Sequence, residues 1–593
     1  MKRNPFLTAS LSALALLTAN SQAADDDLLK AISSDVDFAV HLSDLSDTRK
    51  NWEKSPMKTF VENPEIQKWW QELLADAEDE VPTGSQELLT ELKKEACAAI
   101  SMLEDEAVAS IDLAEVNTAL IQRFQKTMDG EDKSAKLQVL LDTVTLQLLG
   151  EVKDEDPFKA QMEKVFAKFG ELVVQSRKED GKEESIFEIA KEKVGGIEVT
   201  KLYLIPKGGE KTHSGSFGIV DGKAYLTLGG TDDAALQASL KNGAAKAVTD
   251  LKTTISAGEY DFQLLGNLSN LWQGMATGIE FGLEASGMKD QLQINVKQGW
   301  DAIGFNQLEA LTYAFDLSEK DLVVKAKMTA PTKGLVGAAI PEDAIDKLSQ
   351  MASAKMMGFS QAKFDIPGFY DEFMKMAGAV SPMAPMMFGM QLNKVEGAIG
   401  VKIREDLLEH LGDELETAIF DGAGTDPENP FAGMGLRVSL KDQAKFEASL
   451  KTAFGKTGMK VQDKDFMGET LHMLQLPEGK NLIYAFYKGD LFLGAEEDNA
   501  VQKMIQQLVN PGPLMWEMSE LSKYKGLFKK DLASISVTDV GTQVKSTLKQ
   551  FEAMGMKDDL PDLSKAEFPF SYSISAGVVE DGVYNGDAVF IAK

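Results

Sequence analysis

The chain has 593 residues, with 93 Asp and Glu against 62 Lys and Arg and a formal net charge of −31. Such a field repels phosphate backbones and anionic lipid surfaces, which disfavours nucleic-acid binding. The length supports two or more hydrophobic cores, and a single cysteine, Cys97, cannot form an intrachain disulfide.

Residues 1–23 read as a secretory signal peptide. Lys2 and Arg3 form the positive region, Phe6 to Leu17 is apolar but too short to span a bilayer, and Ser21-Gln-Ala23 is a small-x-small cleavage site. No Cys follows, which argues against a lipoprotein. The short form looks bacterial, so the expected location is exported, periplasmic or extracellular. Without Lys2 and Arg3 the basic count is 60 against 93 acids, a net of −33. No apolar stretch of about 18 residues follows. Phe373 to Leu392 comes closest and is broken by Lys375, Pro382 and Pro385, so no membrane span is expected in the mature chain.

Phe38-Ala-Val-His-Leu-Ser-Asp44-Leu45 predicts a short strand running into a helix, with Asp44 as the cap. Trp52-Glu-Lys-Ser-Pro56 and Asn63-Pro64-Glu-Ile-Gln-Lys-Trp69-Trp70 are Pro-punctuated helical segments whose tryptophans lock a helix onto a sheet or anchor an interface. Glu87 to Ile100 predicts a helix holding Cys97 as a partly buried thiol, with an intermolecular disulfide as the alternative. Leu103-Glu104-Asp105-Glu106 reads as a polar helix-to-strand junction. Further helix is predicted at Ala114 to Met128, Lys136 to Leu149 and Phe158 to Gly170, and solvated loops at Lys178 to Glu184 and Lys207 to Lys211. Asp221-Gly222, between alternating apolar runs, is a hairpin turn. Phe262 to Asn267 repeats the strand-to-helix opener, and two alternating strands follow from Leu311 and Asp321.

The second half then repeats these patterns in order. Asp44 is matched by Asp365, Asp105 by Asp413 in Leu411-Gly-Asp-Glu414, the Phe158 helix by the Phe446 helix, Asp221-Gly by Lys488-Gly489, and Asn267 by Asp539. The offsets are 321, 308, 288, 267 and 272, and a chance alignment does not keep such order. The expected fold is α+β: two pseudo-equivalent lobes from an internal duplication, with antiparallel sheets and helices packed on one face. The expected organisation is a first long unit at 24–250, a short β-rich unit at 251–350, a second long unit at 351–510 and a second short unit at 511–593.

No residue is singled out as catalytic, and no metal or cofactor is implied. His41, His213, His410 and His472 form no local cluster, and Ser214-Gly-Ser-Phe-Gly218 lacks the first Gly of a nucleophile elbow. Gly208-Gly-Glu-Lys211-Thr212 lacks the Gly before Lys of a phosphate loop, and the acidic loop Asp421 to Asn429 lacks the register of a calcium loop. The candidate ligand-binding residues are Met383, Met386, Met387 and Met390, whose spacing puts all four on one helix face. A Met stripe ordinarily faces a core; flexible thioethers also suit an adaptable apolar site for a lipid-like ligand or partner helix, and bind Cu(I).

The Phe38–Leu45 run, Trp52-Glu-Lys-Ser-Pro56, Asn63-Pro64-Glu and Leu411-Gly-Asp-Glu414 resemble large exported bacterial proteins classed only as a domain of unknown function. The resemblance implies export and a repeated α+β body, and it supplies no catalytic residue. The expected function is therefore non-catalytic binding or scaffolding in the cell envelope, with a hydrophobic ligand or protein partner. The alternative is a periplasmic hydrolase with its site between the lobes.

Overall fold

The computed structural model describes residues 28–34, 36–68, 86–113, 144–179, 186–205, 211–229, 232–256, 260–341, 343–420, 433–475, 481–495, 499–528, 531–541, 543–544 and 568–593. Residues 1–23, read above as a signal peptide, Trp69-Trp70, the predicted helix at 114–128 and the predicted loops at 207–211 and 421–429 lie outside them, except for Lys211. The chain divides into two compact units, Met1–Phe281 with Glu309–Lys327, and Gly282–Leu308 with Met328–Lys593.

The first unit carries β1 (Phe38–Leu42), β2 (Leu103–Leu113), β3 (Val144–Val152), β4 (Ile186–Val194), β5 (Ile197–Ile205), β6 (Thr212–Val220), β7 (Lys223–Leu228), β8 (Phe262–Asn267), β9 (Ala310–Leu317) and the first part of β10 (Asp321–Thr329). They pair in the spatial order β4-β5-β6-β7-β3-β2-β1-β8-β9-β10, antiparallel from β4 to β9. The second unit carries β11 (Gly358–Lys363), β12 (Leu411–Ile419), β13 (Met434–Leu440), β14 (Val461–Phe466), β15 (Glu469–Gln475), β16 (Asn481–Tyr487), β17 (Asp490–Ala495), β18 (Ser534–Asp539), β19 (Phe570–Glu580) and β20 (Val583–Ala592). Their antiparallel order is β14-β15-β16-β17-β13-β12-β11-β18-β19-β20. Helices interleave with these strands, so the fold is α+β.

The two orders match strand for strand, and so do details of register. Leu42 lies opposite Ala107 and Ala362 opposite Leu415. The register slips between Leu103 and Ala107 in one unit and between Leu411 and Leu415 in the other. The hairpin turns follow from local chemistry. Asp221-Gly222 and Lys488-Gly489 both have positive φ at each residue, the geometry a two-residue turn needs to match strand twist. The strand-to-helix openers also form. The Asp44 side chain accepts from the Asp47 N–H and caps the Leu45–Lys54 helix. Asp365 occupies the cap position of the Ile366–Val380 helix but makes no capping bond.

Two sequence expectations are corrected. Residues Val144–Leu149, read as the end of a helix, are strand β3. Leu148 packs into one apolar cluster and Leu149 into another, so the strand has cover on both faces; Val144 and Leu148 also fit the helical spacing of Leu137, Leu140 and Leu141, which reads as helix. The helices also do not keep to one face of the sheet. In the first unit Leu103, Ala107, Phe217 and Ala224 pack beneath Ala99 of the Gln86–Ile100 helix and Phe158, Met162 and Phe166 of the Glu155–Glu179 helix. The alternate residues Val108, Leu149 and Tyr225 pack on Leu28, Leu29 and Ile32, and on Leu236 and Leu240 of the Asp233–Asn242 helix. In the second unit Val438 and Leu491 pack under Phe446 of the Gln443–Thr457 helix. Gly435, of opposite parity to Val438 along the strand, meets Met504 of the Ala500–Val509 helix, where an added Cβ would sit 2.6 Å from the Met504 methyl. Alternation within a strand sends apolar side chains to both faces, and each face needs its own cover.

Candidate functional site

The Met stripe lies on the Met383–Ile399 helix, which begins after Pro382 and ends at Gly400 in the left-handed conformation. Pro385 falls in the first turn, where its missing N–H costs no helical hydrogen bond. The helix packs against its neighbours Ile366–Val380 and Gln443–Thr457. Phe373 meets Phe388 edge to face at 5.8 Å. Met386, Met387 and Met390 are 59%, 57% and 67% exposed; Phe388 and Val395 are also exposed, on the other side of the helix from Met386 and Met390. Met383 is half-buried. Spacing correctly placed the four on one face, but core packing is not their role, because that face is turned to solvent. Glu396 holds the opposite side: it is buried, receives the Ile403 N–H at 3.0 Å and pairs with Lys402 at 2.6 Å.

The second unit also contains a polar cleft of about 750 Å³. Its lining joins the end of β11, the start of the Ile366 helix, the start of β12, the end of β13 and the segment 332–343. Sequence-flagged Asp365 and Asp413 therefore meet in one cavity. Lys363 lies there with its side chain only 12% exposed, 3.3 Å from both Asp346 and Asp413. Burial opposes its charge, and hydrogen bonds and Coulombic attraction from the two aspartates outweigh that, so its pKa is raised. Gly412 is required at the cleft edge. A Cβ there would overlap the hydroxyl of Ser439, which accepts the Glu414 N–H at 3.0 Å.

Each unit also buries a carboxylate beside the first strand it pairs. Glu106 on β2 accepts from the N–H groups of Leu28 at 2.8 Å and Leu29 at 3.1 Å, and meets His41 Nε2 at 2.8 Å. His41 Nδ1 lies 2.8 Å from the Tyr260 hydroxyl, which also receives the Gln263 amide. One proton arrangement satisfies these contacts: Tyr260 donates to Nδ1, and Nε2–H donates to Glu106. His41 and Glu106 are buried, and the carboxylate fastens the segment at Leu28–Leu29 to the sheet through its two N–H groups. In the second unit Glu416 on β12 is bound by Arg437 Nη1 and by the Ser349 hydroxyl at 2.8 Å. Arg437 also holds Asp490 at 2.7 Å and Glu414 at 3.4 Å. Burial pushes the Glu416 pKa up, and the Arg437 charge opposes the rise.

The remaining flagged residues do not converge. Asp105 has no described side chain. Cys97 is partly buried in its helix. His472 is not isolated: its Nδ1 meets Asp463 at 2.7 Å and its ring stacks on Tyr484 at 4.7 Å. His213 lies against the Tyr203 ring at 5.7 Å. Among the described residues no group of three His, Cys, Asp or Glu is placed to hold a metal ion, and no helix is long and apolar enough to cross a membrane. An apolar cavity of about 110 Å³ lies in the first unit, lined by Ala99, Leu103, Gly150, Phe158, Met162 and Phe217 among others.

Sequence reasoning missed the Glu106 anchor because its partners are 65 and 78 positions away. A usable signal existed, since Glu106 lies two residues before apolar Val108 and so shares its face of the strand, where a buried carboxylate must find donors.

No family model matches the chain, and no curated protein does. Solved structures of TP0453 are similar to it in part. Crystal form III aligns at 10% identity over 52% of this chain and 80% of that one, with a TM-score of 0.22. Crystal form IV aligns at 9% identity over 52% and 81%, with a TM-score of 0.21. Likeness at that level lends nothing to the reading of fold or function.

Proposed function

We propose that the protein is an exported, non-catalytic binding or scaffold protein of the bacterial cell envelope that engages a hydrophobic partner through the Met383–Ile399 helix. The observation that carries this reading is the run of exposed Met386, Met387, Phe388, Met390 and Val395 on one ordered helix. Met386, Met387 and Met390 share one side of the helix; clustered exposed apolar side chains mark interaction surfaces, and thioethers adapt to varied apolar shapes. The net charge of −31 disfavours adsorption to anionic lipid, so an apolar segment of another exported protein is the favoured occupant over a lipid. The sequence features at residues 1–23 support export. The order of the five repeated patterns and the shared strand order support an origin by internal duplication.

The test is native mass spectrometry of the mature protein from its host's envelope fraction, beside the triple variant Met383→Ser, Met386→Ser and Met387→Ser. The expected result is a mass excess that denaturation removes and the variant lacks. A bare monomer mass from the wild type, or an excess the variant retains, overturns the reading.

A further inference from the structure

The cleft of the second unit carries cations and carboxylates together on its walls. Lys333, Lys363 and Lys441 line it, and so do Asp343, Asp365, Glu372 and Asp413. Several of these charges are already committed. Lys363 is held by Asp413 and Asp346, and Glu372 pairs with Lys375 at 2.6 Å. Lys333, Lys441, Asp343 and Asp365 have no side-chain partner among the described residues. Solvent-exposed Lys333, Lys441, Asp343 and Asp365 thus give the cleft two cations and two carboxylates that no described side chain engages. Phe364 and Phe369, with ring centroids 5.5 Å apart, add apolar wall between them, as do Ile340, Pro341 and Leu440.

We propose that this cleft binds a short peptide by its free amino and carboxylate ends, with its side chains against Phe364 and Phe369. The chemistry excludes simpler ligands. A plain anion would face Asp343 and Asp365, and a plain cation would face Lys333 and Lys441. A molecule with one ammonium and one carboxylate pairs with both kinds of group. At about 750 Å³ the cavity falls in the range of small-molecule sites, too small for a folded partner. A Cβ on Gly337 would come within 3.0 Å of the Pro331 carbonyl, and Gly334 has φ +79° and lies against the Ala302 carbonyl. Close backbone packing therefore fixes both glycines at that wall. The site is distinct from the exposed Met surface, and the proposal does not rest on the function proposed for it.

The test is calorimetric titration of the full mature chain with trileucine, N-acetyl-trileucine and trileucine amide. Free trileucine should bind, and blocking either end should weaken it about tenfold through the lost charge-assisted contact. Lys441→Ser and Asp365→Asn, both outside the buried core, should each weaken trileucine several-fold while the thermal unfolding curve stays in place. Met386→Ser with Met390→Ser should leave the affinity unchanged. Absence of heat with trileucine at millimolar concentration overturns the proposal. So does equal binding of blocked and free peptides, or an affinity that follows the Met variants rather than Lys441 and Asp365.

Discussion

The two units solve one problem differently at matching places. Counting from the turns Asp221-Gly222 and Lys488-Gly489, Tyr225 matches Phe492; these pair with Leu149 and Arg437 respectively. By the same count Ala107 matches Leu415, so Glu106 matches Glu414 and Val108 matches Glu416. His41, opposite Val108, matches Gln361, opposite Glu416. The buried carboxylate is thus moved by two residues along the strand, which keeps it on the same face. The first unit satisfies it with two backbone N–H groups and an imidazole; the second places a guanidinium where the first has leucine. The strand order tolerates either, provided every buried oxygen meets a donor.

The largest effect should come from removing the guanidinium. Arg437→Leu leaves Glu416 buried opposite an apolar side chain and should cost about 3–5 kcal/mol, read by denaturant unfolding. Adding Glu416→Val installs both residues of the first unit, and the double variant should recover most of that loss. A double variant as unstable as the single one would break the comparison.

In the first unit, Glu106→Leu strands the imidazole and two N–H groups. It should cost about 2–3 kcal/mol, with faster hydrogen exchange at Leu28 and Leu29 than elsewhere in the unit. Unchanged exchange there would mean that Leu28 and Leu29 are held by apolar packing alone.

A smaller effect should appear in pH dependence. The Glu416 pKa is raised in the folded protein, so the folded state holds its proton at pH values where the unfolded state has released it. Stability contributed by this group is greatest below the ordinary carboxylate value and declines as pH rises through the raised one. Glu416→Gln should flatten that part of the melting-temperature profile, and an identical profile would place the decline at other buried acids such as Asp261.

The smallest effect is expected at the Met helix. Met386→Ser with Met387→Ser and Met390→Ser should change stability by no more than about 0.5 kcal/mol per substitution, because these side chains contact water. A large loss on melting would show the helix face to be structural.

What was legible in the sequence was local. Asp44 capping its helix, Asp221-Gly222 turning a hairpin and the repeated order of openers all follow from neighbours in the chain. Helical spacing placed the four methionines on one face but carried no information about which face meets water; that depends on Glu396 and the packing of two neighbouring helices. The cleft was half-visible, since Asp365 and Asp413 were marked as junction residues. Lys363 and Lys441 were not, because an isolated lysine carries no pattern. Val144 to Leu149 misled because Val144 and Leu148 continue the helical spacing of Leu137, Leu140 and Leu141.

The division of the chain has a consequence for how the protein is made. Gly282–Leu308 belongs to the second unit although it lies between β8 and β9 of the first. The polypeptide therefore passes from one unit to the other three times, after Phe281, Leu308 and Lys327. No single truncation point yields either unit whole. As the chain emerges during synthesis, the first unit must finish β9 while 27 residues already made wait for a body that does not yet exist.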